Sequence, residues 1–400
     1  MRPRRWRPRT AGGGAAVLGA ALAVELVDEL VDGTKGAALP LIHRSLALSY
    51  GQVGLLVSVP LLVGSALELP VGVLAGHGRR RRLAVLGGGL VFIAALLAAC
   101  AAHSFGSLLL TFVIFFPASG AFVGLTQSGL MDADPGLREW HMARWELAGA
   151  AGSVAGPLLL IAVLAAGGGW RSAYLLLTLA AAMALLGVAR NPPVPPPGAG
   201  EQARAGPGVS RVLGALRSAG VARWLVLLQL CDLLLDILTG FVALYLVDVV
   251  HATPAQAALG LAIRLGAVLA GDAALVWALG RVRALSLVRA SAAAAALLYP
   301  AFLLAPGIGP KLALIGCLSA VTAPWYPVLQ AQLYSSLPDD SAVAVSLSSA
   351  ASLIGGAGPL AIGFLAQRFG LEWALTGLVI VPLGVLGGLW RPPASADGGA

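Results

Sequence analysis

The chain is 400 residues long, 58% hydrophobic and only 11% charged, with a net charge of +8 and a mean hydropathy of +0.87. A soluble domain needs about a quarter of its residues charged to cover its surface; without that coat, lipid is the solvent for most of the exterior. The positive balance does not indicate nucleic acid, because basic residues cluster between apolar runs and not along one face with interleaved aromatics. It fits the cytoplasmic charge excess of a membrane protein.

The opening MRPRRWRPRT precedes an apolar run in the manner of a secretory signal. Glu25, Asp28, Glu29 and Asp32 interrupt that run, and no small-residue cleavage site precedes them. The segment therefore reads as a cytoplasmic basic leader, 1–14, ahead of a retained first span. With about 20 apolar residues per span, candidate spans lie near 15–41, 52–75, 83–103, 107–130, 145–166 and 171–189. A second set lies near 224–249, 255–279, 284–305, 311–333, 342–366 and 372–390. Between the sets, 190–222 contains NPPVPPPGAG and several arginines, and reads as a flexible cytoplasmic linker. The expectation is an all-α polytopic membrane protein of about twelve transmembrane helices, in bundles 15–189 and 223–390 with a tail at 391–400. The three cysteines, Cys100, Cys231 and Cys317, stand singly in apolar stretches and read as small packing residues.

Orientation follows from the loops. With the N-terminus inside, twenty of the 26 Lys and Arg fall on that side: five in the leader, Arg79 to Arg82, Arg138, Arg144, Arg190, Arg204, Arg211, Arg217, Arg223, Arg281, Arg283, Arg289 and Arg391. Only Arg44, Arg171, Lys311 and Arg368 fall outside, and Lys35 and Arg264 lie within spans. Both termini are expected in the cytoplasm, with the chain in the cell membrane.

The two sets match at an offset of 204. Asp28 and Asp32 meet Asp232 and Asp236, Ser49 and Gln52 meet Thr253 and Gln256, and Glu68 meets Asp272. Gly76 with Arg79 meets Gly280 with Arg283, and Gly156-Pro157 meets Gly358-Pro359 after a short deletion. Only 18 acids occur in the chain, so three acid pairs at one offset indicate a duplicated six-helix unit, with parallel repeats about an axis along the membrane normal.

With that duplication and linker, the loop GVLAGHGRRRRL (Gly72 to Leu83) resembles the signature between the second and third helices of the major facilitator superfamily, roughly G-x-L-A-D-R-x-G-R-R. Gly76 stands where Asp is usual, His77 where Arg is usual, and Arg79 replaces Gly, so the cytoplasmic latch that this Asp serves in the family is expected to be built differently. GAAGSVAGPLL (Gly149 to Leu159) is similar to the G-x-x-x-G-P element of the family's proton-coupled exporters. DGTKGAALPLI resembles the exporters' first-helix pattern, and ALPLIHRSLALSYGQVGLL resembles the fosmidomycin-resistance group. The basic residue usual in the fourth helix of drug exporters is absent from LTFVIFFPASGAFVG. The resemblance implies a twelve-helix transporter.

Ionisable groups inside spans carry most information, since each costs a few kcal/mol to insert. Glu25, Asp28, Glu29, Asp32 and Lys35 fall within about a third of the circumference of one helix. They face water or one another. One reading is a structural cluster bridged by Lys35; the other is a proton-coupling site, since the matching pair Asp232 and Asp236 has no lysine beside it. The preferred arrangement sets Arg264 near Asp232 and Asp236, and Lys35 near Asp28 and Asp32, lining a central cavity. Crowded acids in a low dielectric hold protons more tightly, and an approaching cation loosens them. The histidines His43, His77, His103, His141 and His251 all fall at span ends, so proton carriage falls to carboxylates.

Other candidates are weaker in chemistry. Glu68 and Asp272 near the cytoplasmic ends of two spans are either gate partners or snorkelling groups, and Arg79, Arg80, Arg283, Arg144 and Glu146 are further gate candidates. Pro324 and Pro327 bend the tenth span, which a bilayer tolerates only against protein or a watery cavity. Trp325 and Tyr326 then either stack on a substrate or pack a kink. Gln127 and Gln330 are candidate substrate hydrogen-bonders, whereas Ser346, Ser348, Ser349 and Ser352 suit close helix packing. The chain contains no Walker loop, HExxH or GxSxG elbow, and no metal or cofactor is expected. The function that fits is a monomeric, non-enzymatic secondary transporter coupling protons to export of a small molecule across the bilayer. Nutrient uptake, such as of a sugar or organic acid, and a non-transporting receptor or scaffold are the alternatives.

Overall fold

The computed structural model describes residues 13–75, 79–133, 138–192, 214, 218–279, 281–337, 347, 351 and 355–390. Every regular element among them is helical: α1 Gly13–Ser45, α2 Tyr50–Ala75, α3 Arg79–Cys100, α4 Phe105–Ser119, α5 Leu125–Ala133, α6 Arg138–Ala165 and α7 Trp170–Arg190, then α8 Ala219–Asp248 and α9 Pro254–Leu279. The series continues with α10 Ala284–Leu304, α11 Ile308–Thr322, α12 Trp325–Ser335, α13 Gly358–Phe369, α14 Leu371–Thr376 and α15 Ile380–Trp390. The basic leader, Gly76 and His77, most of the linker, the serines of 346–352 and the tail 391–400 lie outside the described residues, as does the side chain of Glu68.

Ten helical stretches among the described residues are long and apolar enough to cross a membrane. The first span is not among them, although α1 runs for 33 residues, because its five ionisable side chains break the apolar window. The expected span near 342–366 is described chiefly in its final part, α13. Two spans are interrupted where sequence chemistry demands it. Pro117 removes a donor from α4, and the helix relaxes into a π-turn over Gly120–Gly124 before α5 resumes. Pro324 separates α11 from α12.

The chain forms two compact units. The first comprises 1–33, 63–156 and 171–203; the second comprises 34–62, 157–170 and 204–400. In the first, a buried aromatic group of Phe92, Phe115 and Phe122 joins α3 to α4 and the π-turn, with Phe92 and Phe115 ring centres 4.6 Å apart.

In the second unit the duplication is visible as repeated local geometry. The Ser49 amide donates to Gln52 Oε1 (2.8 Å) while the Gln52 amide donates to Ser49 Oγ (3.2 Å). At the start of α9 the Thr253 amide donates to Gln256 Oε1 (2.9 Å) and the Gln256 amide to Thr253 Oγ1 (3.2 Å). These are the same capping box, two orphan helix donors satisfied reciprocally, 204 residues apart. The preceding turns match too: Ala47 and His251 are the two non-glycine residues with positive φ among the described residues, at 49° and 59°. Tertiary contacts also exchange partners by the offset. A Cβ on Gly36 would meet Leu261 at 3.1 Å, and a Cβ on Gly240 would meet Val57, the repeat equivalent of Leu261, at 3.8 Å. Gly54 and Gly363 allow a close helix approach, since a Cβ on Gly54 would lie 2.8 Å from the Pro359 carbonyl oxygen.

Candidate functional site

Each unit holds its own group of membrane-embedded charges. In the first, the acidic face of α1 packs on the small-residue face of α6. A Cβ at Gly149 would lie 2.6 Å from Glu25 Oε1, and one at Gly152 would meet the Leu26 carbonyl oxygen and, at 3.0 Å, Glu29 Cβ. Only glycine lets the helices approach closely enough for the carboxylates to reach across. Ser153 Oγ then donates to Glu29 Oε2, and Ser119 Oγ, beside the π-turn, donates to Asp28 Oδ1 at 2.7 Å. Glu25 is 9% exposed, and Glu29, Asp28 and Glu146 are acidic groups acting on it. Asp32, half-buried, acts on the enclosed Tyr174. Asp28 and Glu29 thus accept hydrogen bonds from hydroxyl donors, and Glu25 and Glu29 lie against the glycines of α6.

In the second unit, Gln229 Nε2 donates to Asp232 Oδ2 (3.3 Å) and Asp236 acts on Asp232. Arg264 of α9 is 3% exposed, donates from Nη2 to the Leu235 carbonyl at 2.7 Å, and is acted on by the Asp236 charge. Tyr326 of α12, 43% exposed, lies within electrostatic range of Asp232. Gln229 was not among the sequence candidates; its place one turn before Asp232 was the available signal. Lys35 is half-buried on α1 beyond the last acid.

The remaining candidates divide by burial. Trp325 is fully enclosed with its Nε1 donating to Ser291 Oγ at 2.8 Å, a packed kink. Gln127 Nε2 approaches Met142 Sδ at 3.7 Å, and Gln330 is half-buried. Arg79, Arg80, Arg283 and Glu146 are exposed, Asp272 is half-buried, and the Arg144 guanidinium lies 3.5 Å over the Trp140 ring. The buried member of the four-arginine run is Arg81, 7% exposed, with Nη1 3.0 Å from Asp132 Oδ2 and Nη2 donating to Ser128 Oγ. Sequence gave no reason to single it out from its three neighbours. No group of three or more histidine, cysteine or acidic side chains suited to a metal ion occurs among the described residues.

The multi-pass α-helical architecture fits the class of membrane transporters, and comparison with known proteins gives the family. The family model of the Major Facilitator Superfamily matches residues 22–357, and the chain belongs to that family. Among solved structures, an inward-facing, occupied bacterial homologue of the human lysosomal transporter Spinster superposes with a TM-score of 0.78 at 15% identity, covering 96% of this chain and 97% of that one. The nucleoside transporter NupG, as its D323A mutant, gives 0.77 at 11% identity, with coverages of 94% and 98%. A POT family transporter in complex with 5-aminolevulinic acid gives 0.68 at 12% identity, with coverages of 94% and 96%. Curated protein sequences yield no match. At these identities the likeness establishes the fold, and the family points to a membrane transporter.

Proposed function

We propose that the protein is a proton-coupled secondary transporter of the cytoplasmic membrane, with twelve helices in two six-helix bundles and both termini cytoplasmic, working as a monomer. It exports a small organic molecule by exposing a midplane site to each side in turn. The observation that carries this reading is the pair of repeat-related acid groups within spans, Glu25, Asp28, Glu29 and Asp32 on α1 and Asp232 and Asp236 on α8. A purely structural protein gains nothing by keeping so many carboxylates at membrane depth, where each costs a few kcal/mol. Carboxylates that exchange hydroxyl and amide partners can take up a proton in one conformation and release it in another. Lys35 and Arg264 tune that exchange; Gln127, Tyr326 and Gln330 contact substrate, with Trp325 fixing the bend beneath Tyr326. Glu68, Asp272 and the arginines near the basic end gate it.

A ligand-stabilisation screen of the purified protein at two pH values identifies a substrate and shows whether binding is linked to protons. In proteoliposomes with an imposed proton gradient, Asp32→Asn and Asp232→Asn each abolish the gradient-driven component of its movement. Full coupled flux in both variants removes the carboxylates from the mechanism.

A further inference from the structure

Opposite the arginine-rich end of the second unit, the ends of α1, α2 and α8 meet in a cluster that the acid chemistry above does not use. Asp248, the last residue of α8, is its centre: Arg44 Nη2 lies 3.5 Å from Oδ1, Tyr50 Oη donates to Oδ2 at 3.2 Å, and His43 Nδ1 lies 3.5 Å from Oδ2. The His43 ring stacks on Tyr50, centroids 5.2 Å apart and planes 11° from parallel. The Asp248 side chain is 13% exposed and that of His43 17%. Beside them the Gly51 amide donates to Gln367 Oε1 (3.0 Å), the Leu360 amide to Ser58 Oγ (2.9 Å), and Trp170 Nε1 to Ser45 Oγ (3.0 Å). Helix ends from both sequence halves are thereby clasped together.

Two features make this clasp more than packing. Arg44 and Asp248 are repeat equivalents, 204 residues apart, so the ion pair joins corresponding points of the duplicated unit with opposite charges. The duplication is then broken at the neighbours: His43 corresponds to Val247 and Tyr50 to Pro254, leaving one titratable ring. His43 Nδ1 is buried and makes no hydrogen bond, yet it faces a carboxylate oxygen. A neutral imidazole in the Nε2–H tautomer turns its Nδ1 lone pair toward the carboxylate and gains nothing there, whereas the neutral Nδ1–H tautomer donates to it. Protonation of the whole ring makes that hydrogen bond charge-assisted and places a cation on the tyrosine face. The charged and titratable groups facing His43 are Asp248 across the gap, Tyr50 on its ring face and Arg44 beside it; the single carboxylate is shared between two cations when the ring is protonated.

We propose that His43 is a proton sensor that holds this end of the transporter shut: protonated, it closes the clasp on Asp248; neutral, it weakens one of the three ties on that carboxylate. Burial pulls His43 below the ordinary histidine range and the Asp248 carboxylate opposes that, so acid on this face of the membrane favours closure.

The test needs no substrate, so it fails independently of the transport reading. Spin labels at Ala47→Cys and Ala255→Cys, with Cys100 and Cys317 replaced and the buried Cys231 retained, report the separation of the α1–α2 turn from the start of α9 by double electron–electron resonance. Between pH 8 and pH 5.5 the ratio of short to long separations rises roughly three- to tenfold, the shift that one part-buried charge pair supports. His43→Gln flattens the response across this window, and Asp248→Asn favours the long separation at both pH values. A pH-independent distribution in the parent protein, or an undiminished response in His43→Gln, overturns the proposal. Matched size-exclusion profiles separate either result from misfolding.

Discussion

The contact between α1 and α6 makes a sharp claim about Gly152. Its ideal Cβ position falls well inside the contact distance of the Leu26 carbonyl oxygen and 3.0 Å from Glu29 Cβ. The first of these is backbone in the middle of a helix and cannot rotate away, so Gly152→Ala forces α6 back by about 1 Å to restore ordinary contacts. Overpacking of this kind costs about 1–3 kcal/mol, and the same displacement breaks the Ser153 to Glu29 hydrogen bond. Gly19, on α1, is the control: a Cβ there meets nothing within 4 Å, and alanine is the better helix former by about 0.5–1 kcal/mol. Thermal unfolding of both variants in one detergent, read by tryptophan fluorescence, therefore moves in opposite directions, with Gly152→Ala lower than the parent and Gly19→Ala equal or higher. If Gly152→Ala unfolds where Gly19→Ala does, the close approach of α1 and α6 does not hold and the acids of α1 are not positioned by α6.

Lys311, 5% exposed, donates to Tyr245 Oη (2.9 Å) and to the carbonyls of Phe302 and Leu303 (2.7 Å each), closing the end of α10. Lys311→Met leaves these acceptors unserved and lowers stability by about 1–3 kcal/mol, measured by the same unfolding assay, whereas Tyr245→Phe costs about 1 kcal/mol or less. A double-mutant cycle of Arg81→Gln with Asp132→Asn yields a coupling of about 1–2 kcal/mol, below the figure for a fully buried pair because Asp132 is 32% exposed. Arg79→Gln, on an exposed side chain, leaves the midpoint within error of the parent.

Much of the architecture was legible because the bilayer imposes it locally. A run of apolar residues must become a helix that satisfies its own backbone, so the spans could be read one at a time. Pro324 and Pro327 marked a bend in the tenth span by lacking a donor, and the break falls at Pro324. The offset of 204 was legible through rare residues, and it reappears as matched capping boxes at Ser49–Gln52 and Thr253–Gln256 because a four-residue signature closes on itself without help from the rest of the chain.

What no local pattern contains is the identity of partners. Gly149 and Gly152 are visible in the sequence within GAAGSVAGPLL, but that they bring α6 against Glu25 and Glu29 depends on helices more than a hundred residues apart. Arg79 to Arg82 are chemically alike, and only the end of α5, carrying Asp132 and Ser128, distinguishes Arg81 as the buried one. His43 read as an ordinary interfacial histidine until Asp248 was set beside it. Hydropathy and capping act through neighbours along the chain, and so are written in order of residue number. Ion pairs and close helix contacts act through space, and the fold alone assigns them.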